Sequence, residues 1–125
     1  MKLINQFFIY LAFLGNPENK ADLSSLQSYL ADNCIIKSNN EMIAQGIEEF
    51  HDYITGMQQK YTVVRYSDFL ENPIICGDKA VLHFHVNCLT TTGVSRYLDA
   101  MAILTIENGK ISIWEEVFQD IQQPE

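Results

Sequence analysis

The chain has 125 residues, 8 basic against 16 acidic, a formal net charge of −8, and 47% hydrophobic with 19% charged residues. That composition belongs to one globular domain large enough to bury a core, and it excludes a disordered chain. With no basic stripe to neutralise phosphates, nucleic acid is not an expected partner.

Residues 3–14 form an apolar run behind Met1-Lys2. The run is too short to span a bilayer, and no membrane association is expected. A cleaved signal is the competing reading, but Asn5 and Gln6 interrupt the run and no A-x-A-type cleavage site follows. A core helix ended by Gly15-Asn16-Pro17 is therefore expected. Asp22 is an N-cap candidate for a second helix, with Leu23, Leu26, Tyr29 and Leu30 at helical spacing. Cys34-Ile35-Ile36 reads as a short strand and Ser38-Asn39-Asn40 as a turn. A third helix starts near Gly46, where Ile47, Phe50, Ile54, Met57 and Tyr61 recur every three or four residues. Glu48 and Glu49 sit in its first turn, where the helix dipole favours anions.

From Thr62 the pattern changes to strands. One runs from Val63 to Leu70 and is closed by Asn72-Pro73. Ile74-Ile75-Cys76 leads through Gly77-Asp78-Lys79 into three longer strands. The order is helices first and then a meandering, mainly antiparallel sheet, so the expected class is α+β over residues 1–125 without a second domain. Cys34, Cys76 and Cys88 are widely spaced and odd in number, which fits reduced thiols in a cytoplasm better than a disulfide framework.

Counting outward from two turns brings ionisable residues together. Asn108-Gly109 as a two-residue turn pairs Glu107 with Lys110, and then Met101 with Glu116 and Asp99 with Phe118. Thr91-Thr92-Gly93 as a three-residue loop pairs Thr90 with Val94, and then His85 with Asp99 and His83 with Met101. On this count His83, His85, Asp99 and Glu116 share one face with Tyr97, Met101, Ile103, Trp114 and Phe118. The other face carries Phe84, Val86, Leu98, Ala100 and Val117, with Glu115 alone polar on it. Since neither face looks made for water, one is expected under the helices and the other against a partner subunit.

This element order, with Gly46-Ile47-Glu48-Glu49-Phe50 opening the third helix and the closing stretch from Glu107 through Trp114-Glu115-Glu116-Val117-Phe118, resembles the SnoaL-like group of the nuclear transport factor 2-like superfamily. The resemblance implies a cone-shaped fold in which a strongly curved sheet wraps around helices and leaves a pocket between them. It also implies a homodimer through the outer face. It leaves function open, since the superfamily holds isomerases, cyclases, dehydratases, hydrolases and non-catalytic binders. Limonene-epoxide-hydrolase-like members carry Arg-x-Asp on one strand and an Asp in a terminal Trp-Arg-Asp-Tyr-Phe-Asp motif. Those positions fall on His83, His85 and Glu116 here. All three residue types differ, and the water-holding tyrosine and asparagine have no counterpart near Ile36 and Ser38. Both departures argue against epoxide hydrolysis by that mechanism.

The site expected from these residues is catalytic at His85, Asp99 and Glu116. His85 is the base oriented by Asp99, Glu116 a partly desolvated proton donor or second base, and His83 a polar contact. The partner is a small apolar organic ligand, a carbonyl compound in the enzymatic reading. The alternative is a non-catalytic ligand-binding or dimerisation module whose buried polar groups only satisfy one another. His-x-His with Asp99 and Glu116 is also a chelating pattern, but a weak one, and no metal or cofactor is assigned. His51 reads as a helix-surface or core histidine.

Overall fold

The computed structural model describes residues 2–67 and 73–121. The helices are α1 (Lys2–Leu14), α2 (Leu23–Gln27) and α3 (Ile47–Lys60). The strands are β1 (Leu30–Ser38), β2 (Glu41–Gln45), β3 (Tyr61–Ser67), β4 (Ile74–Cys76), β5 (Lys79–Thr90), β6 (Ser95–Glu107) and β7 (Lys110–Asp120). They form one sheet in the order β2-β1-β7-β6-β5-β3, with β4 added on β5. Every pairing is antiparallel except β1 with β7. The sheet is curled, and with the helices it makes an α+β cone.

α1 forms because Ile4, Phe7, Phe8, Leu11 and Leu14 fall on one face, and all five are buried. It stops at Gly15 because the chain there touches β3. The Val64 amide donates to the Gly15 carbonyl at 3.1 Å, and a Cβ on residue 15 would lie 2.0 Å from the Val64 carbonyl oxygen. Asp22 caps α2 by accepting the Ser25 amide at 2.8 Å. That helix is shorter than its spacing predicts, because sheet pairing captures its end. The Ile111 amide donates to the Tyr29 carbonyl at 2.8 Å, and Leu30 pairs with Ile111 as the first residue of β1.

Sequence patterning does not anticipate β2. Asn39 and Asn40 both take positive φ, 48° and 66°, and turn β1 into a tight hairpin in which Ser38 pairs with Glu41. β3 begins at Tyr61, two residues before its expected start, and the expected continuation past Ser67 to Leu70 and Asn72 lies outside the described residues.

The two C-terminal hairpins decide the rest. The β5–β6 loop has the odd length expected: Thr90 bonds Val94 at 2.8 Å, Gly93 has φ 89°, and His85 pairs with Asp99. The β6–β7 turn also forms as expected, with Asn108 and Gly109 at φ 52° and 75° and Glu107 opposite Lys110. Two residues further on the registers part. Ile106 pairs with Ile111 but Thr105 pairs with Ile113, so Ser112 is an extra residue, a β-bulge whose hydroxyl donates to the Thr105 carbonyl at 3.2 Å.

One inserted residue turns the remainder of β7 over. Trp114 lies opposite Leu104, Glu116 opposite Ala102 and Phe118 opposite Ala100. The expected assignment of faces is thereby corrected. Phe84, Ala100 and their neighbours Leu82, Ala102 and Leu104 are buried beneath the helices. Val86 and Leu98 line the cavity on the same side. Only Val117 of the proposed dimer patch is exposed. Met101 and Ile103, expected inside, are about half exposed on the outer face together with Val117.

Candidate functional site

Between α1, α3 and the concave face of the sheet lies a cavity of about 330 Å3. Its walls are mostly apolar, with Phe7, Leu11, Phe50, Ile54, Phe84 and Leu98 among them. Aromatic edges knit its deep end: Phe8 meets Phe84 at 5.2 Å and Trp114 at 5.4 Å, and Phe7 meets Trp114 at 5.6 Å between ring centroids. A volume of this size suits a small organic molecule.

Glu116 is the carboxylate in this wall. Strand alternation sets it two residues from Trp114 on the same face, and the indole Nε1 donates to its Oε1 at 2.8 Å. The parallel pairing of β1 and β7 sets Ser38 beside it, and Ser38 Oγ donates to Oε2 at 3.3 Å. Asn39 fixes the backbone around the carboxylate: its amide donates to the Glu116 carbonyl at 2.9 Å, and its side-chain oxygen accepts the Phe118 amide at 2.8 Å. Burial pushes the Glu116 carboxyl above its usual value of 4.5, while the bonds from Trp114 and Ser38 pull the other way without cancelling it.

Three tyrosines line the cavity, Tyr53, Tyr61 and Tyr66. Burial, and then the nearby Glu116 charge, push the phenols of Tyr53 and Tyr66 up, so both stay protonated donors. At the other end Arg96 is held by a fork to Asp120 (3.1 and 3.0 Å) and donates to the Tyr61 hydroxyl at 2.8 Å. Gln58 is committed to the Leu14 and Asn19 carbonyls at 3.0 and 2.6 Å. The chemically adaptable groups in the lining are therefore Glu116, Ser38, Tyr53 and Tyr66, together with Lys60 and Cys88.

Of the residues expected at the site, Glu116, Trp114 and Phe118 line the cavity. His83, His85 and Asp99 come together as counted, but on the opposite face of the sheet. Nε2 of His83 lies 2.5 Å and Nε2 of His85 3.3 Å from Asp99 Oδ1. Tyr97 lies with them, its ring 5.8 Å from that of His85. His83, Tyr97, Met101 and Ile103 are not pocket-lining, and the His85–Asp99 pair cannot act on the same bound molecule as Glu116. The cause is again Ser112. Ser38 and Tyr66 were missed as site residues. The signal for Ser38 was non-local, since a parallel partner six strands earlier in the chain leaves no mark in β7. His51 bonds the Ala21 carbonyl at 3.0 Å and ties α3 to the segment before α2.

The SnoaL-like domain family matches residues 13–114, most of the chain, and the protein belongs to that family. The matched stretch ends at Trp114, two residues before Glu116. No curated protein matches the sequence. Among solved structures, an NTF2-like protein from Anabaena variabilis is similar at 15% identity and a TM-score of 0.75, covering 94% of this chain and 87% of that one. A conserved protein from Planctomyces limnophilus gives 21% identity and a TM-score of 0.63, covering 96% and 97%. An LEH-like epoxide hydrolase from M. tuberculosis gives 13% and 0.68, covering 94% and 82%. At these identities the likeness is one of fold.

Proposed function

We propose that the cavity binds a small, mostly apolar carbonyl compound and that Glu116 moves a proton on it without a cofactor, in an isomerase, cyclase or dehydratase type of reaction. The observation that supports this is a partly buried carboxylate, the one carboxylate among the described residues of an apolar wall, with raised proton affinity and fixed orientation. A carboxylate so placed takes a proton α to a carbonyl, while a protonated Tyr53 or Tyr66 hydroxyl faces the developing enolate oxygen. The apolar walls exclude water and strengthen both effects. Epoxide hydrolysis by the limonene-epoxide-hydrolase route stays disfavoured, since the arginine and aspartates of that site are replaced and two of the three matching positions face outward. A cytoplasmic setting fits the three free thiols Cys34, Cys76 and Cys88. The homodimer is retained in this reading on the corrected outer face, where Met101 and Val117 pair across strands and are both exposed.

The test is exchange of α-protons for deuterium in a panel of small cyclic and aromatic ketones, followed by NMR. The wild type is expected to catalyse exchange with a rate that rises as pH passes upward through the Glu116 pKa. Glu116→Gln should bind the same ketones and lose about 10²–10⁴-fold in rate. Equal rates in the two proteins would leave the non-catalytic binding module as the correct account.

A further inference from the structure

We infer that His83, His85 and Asp99 form a binding site for a divalent first-row transition metal, with Zn2+ the best match, on the outer face of the sheet. Three donor atoms from these residues lie within 4.8 Å of one another. The histidines alternate along β5 and so point the same way, and Asp99 faces them from β6 as the cross-strand partner of His85. Both imidazole Nε2 atoms are aimed at one carboxylate oxygen, at 2.5 and 3.3 Å. Ligands at Zn–N and Zn–O lengths of about 2.0–2.1 Å stand about 3.3–3.4 Å apart in a tetrahedron. The His85–Asp99 separation already has that value. The His83 contact has to open by less than an ångström, and His83, with 55% of its side chain exposed, has room to turn.

The donor chemistry selects the ion. Two imidazoles and one carboxylate suit Zn2+ and its neighbours, whereas Mg2+ and Ca2+ require a shell of oxygens. The net charge of −8 favours any cation. Glu116, which the sequence pattern grouped with these residues, is excluded, because the bulge puts it on the other side of the sheet. Three protein ligands leave a fourth position toward solvent, so the site is open. It ties β5 to β6 at a distance from the cavity, independently of any chemistry at Glu116.

The test uses the full chain, stripped with a chelator and titrated with ZnCl2 against a chromogenic competitor, and with CoCl2 followed by visible absorption. One Zn2+ per chain at micromolar affinity or tighter is expected, with Co2+ bands of a low-coordinate site and no competition from millimolar Mg2+. His83→Ala and Asp99→Asn should each weaken binding by at least the roughly 10–100-fold that even outer-shell partners carry. Cys76→Ser, removing the exposed thiol, and His51→Ala should change nothing. If a substitution unfolds the protein, the unaltered chain still answers: Co2+ should broaden the imidazole NMR signals of His83 and His85 and leave those of His51 sharp. The inference is overturned by millimolar or unsaturable binding, by binding that survives His83→Ala with His85→Ala, by loss with Cys76→Ser, or by equal competition from Mg2+.

Discussion

The two faces of the β5–β6–β7 sheet carry similar raw material and come to opposite uses. The inner face has Glu116, set among aromatic rings and held by an indole and a hydroxyl, while Asp120 at its end is taken up by Arg96. The outer face has Asp99, partly exposed between two imidazoles, and further along the exposed Glu115. Burial separates their chemistry. The enclosed carboxyl has its proton affinity raised by desolvation, whereas the outer one has nitrogen donors at hand and water around it. An enclosed acid suits proton transfer, and an exposed N,N,O set suits a cation. The comparison teaches that on a sheet the side a residue faces decides its chemistry as much as its type does.

The largest expected effect comes from turning the end of β7 over. Inserting one alanine after Ile113 moves Trp114, Glu116 and Phe118 one place along β6, opposite Ile103, Met101 and Asp99, and drives them toward solvent while Glu115 and Val117 turn inward. Trp114 is 6% exposed and central to the aromatic cluster. Its loss from the core alone is worth about 3–5 kcal/mol, a large share of a domain's stability of about 5–15 kcal/mol. The insertion variant should therefore lose cooperative thermal unfolding by circular dichroism. Substitution of Ser112 by alanine keeps the residue count, and it should cost no more than the hydroxyl's single bond, about 0.5–1.5 kcal/mol. An insertion variant that melts like the wild type would show that β7 tolerates either register.

That experiment also marks where the sequence stopped being legible. Turn chemistry was readable: Asn108-Gly109 and Thr91-Thr92-Gly93 each announce positive φ, and both turns form with the expected pairing. The helices were readable from 3.6-residue spacing, apart from the end of α2, where pairing of Leu30 with Ile111 prevails. The bulge was not, because Ser112 is one polar residue among apolar ones and carries no compositional mark. Its consequence did leave a trace. Without it Glu115 sits among buried apolar side chains, and with it Glu115 is exposed opposite Ile103. The alanines 100 and 102, opposite Phe118 and Glu116, are likewise the small residues that make room on a concave face. The site split for the same reason: local register is written in turns, but a one-residue insertion and the parallel docking of β1 are settled by packing.

A middle-sized effect separates the carboxylates by pH. The folded pKa of Glu116 lies above its unfolded value, so the native state holds the proton more tightly. Stability then falls as pH rises from the ordinary carboxylate pKa through the raised one, and no penalty exists below that window. Glu116→Gln removes this term, and it should raise the melting temperature at neutral pH but not at pH 3–4. Denaturant midpoints measured across pH for both proteins check it. A parallel pair of curves would mean that Glu116 is solvated and the inner face is no different from the outer one.

The smallest expected effect tests the turn that brings Asp99 to the histidines. Gly93 has φ 89°, and a Cβ there would meet nothing within 4 Å. Gly93→Ala therefore has no steric clash with the fold to relieve, and its cost is the backbone strain of a left-handed alanine, about 1–2 kcal/mol. Asparagine tolerates that region better, so Gly93→Asn should recover part of the loss. Neither variant should move the pairing of Thr90 with Val94 or of His85 with Asp99, because the loop keeps its three residues. Deleting Ser95 is different: the loop still pairs Thr90 with Val94, but Asp99 moves one place along β6, opposite Val86, and leaves the face that carries both histidines. Melting temperatures rank the two point substitutions. Zn2+ titration should then show unchanged affinity in both and none in the deletion. Unchanged Zn2+ binding after the deletion would mean that the loop does not set the outer-face register.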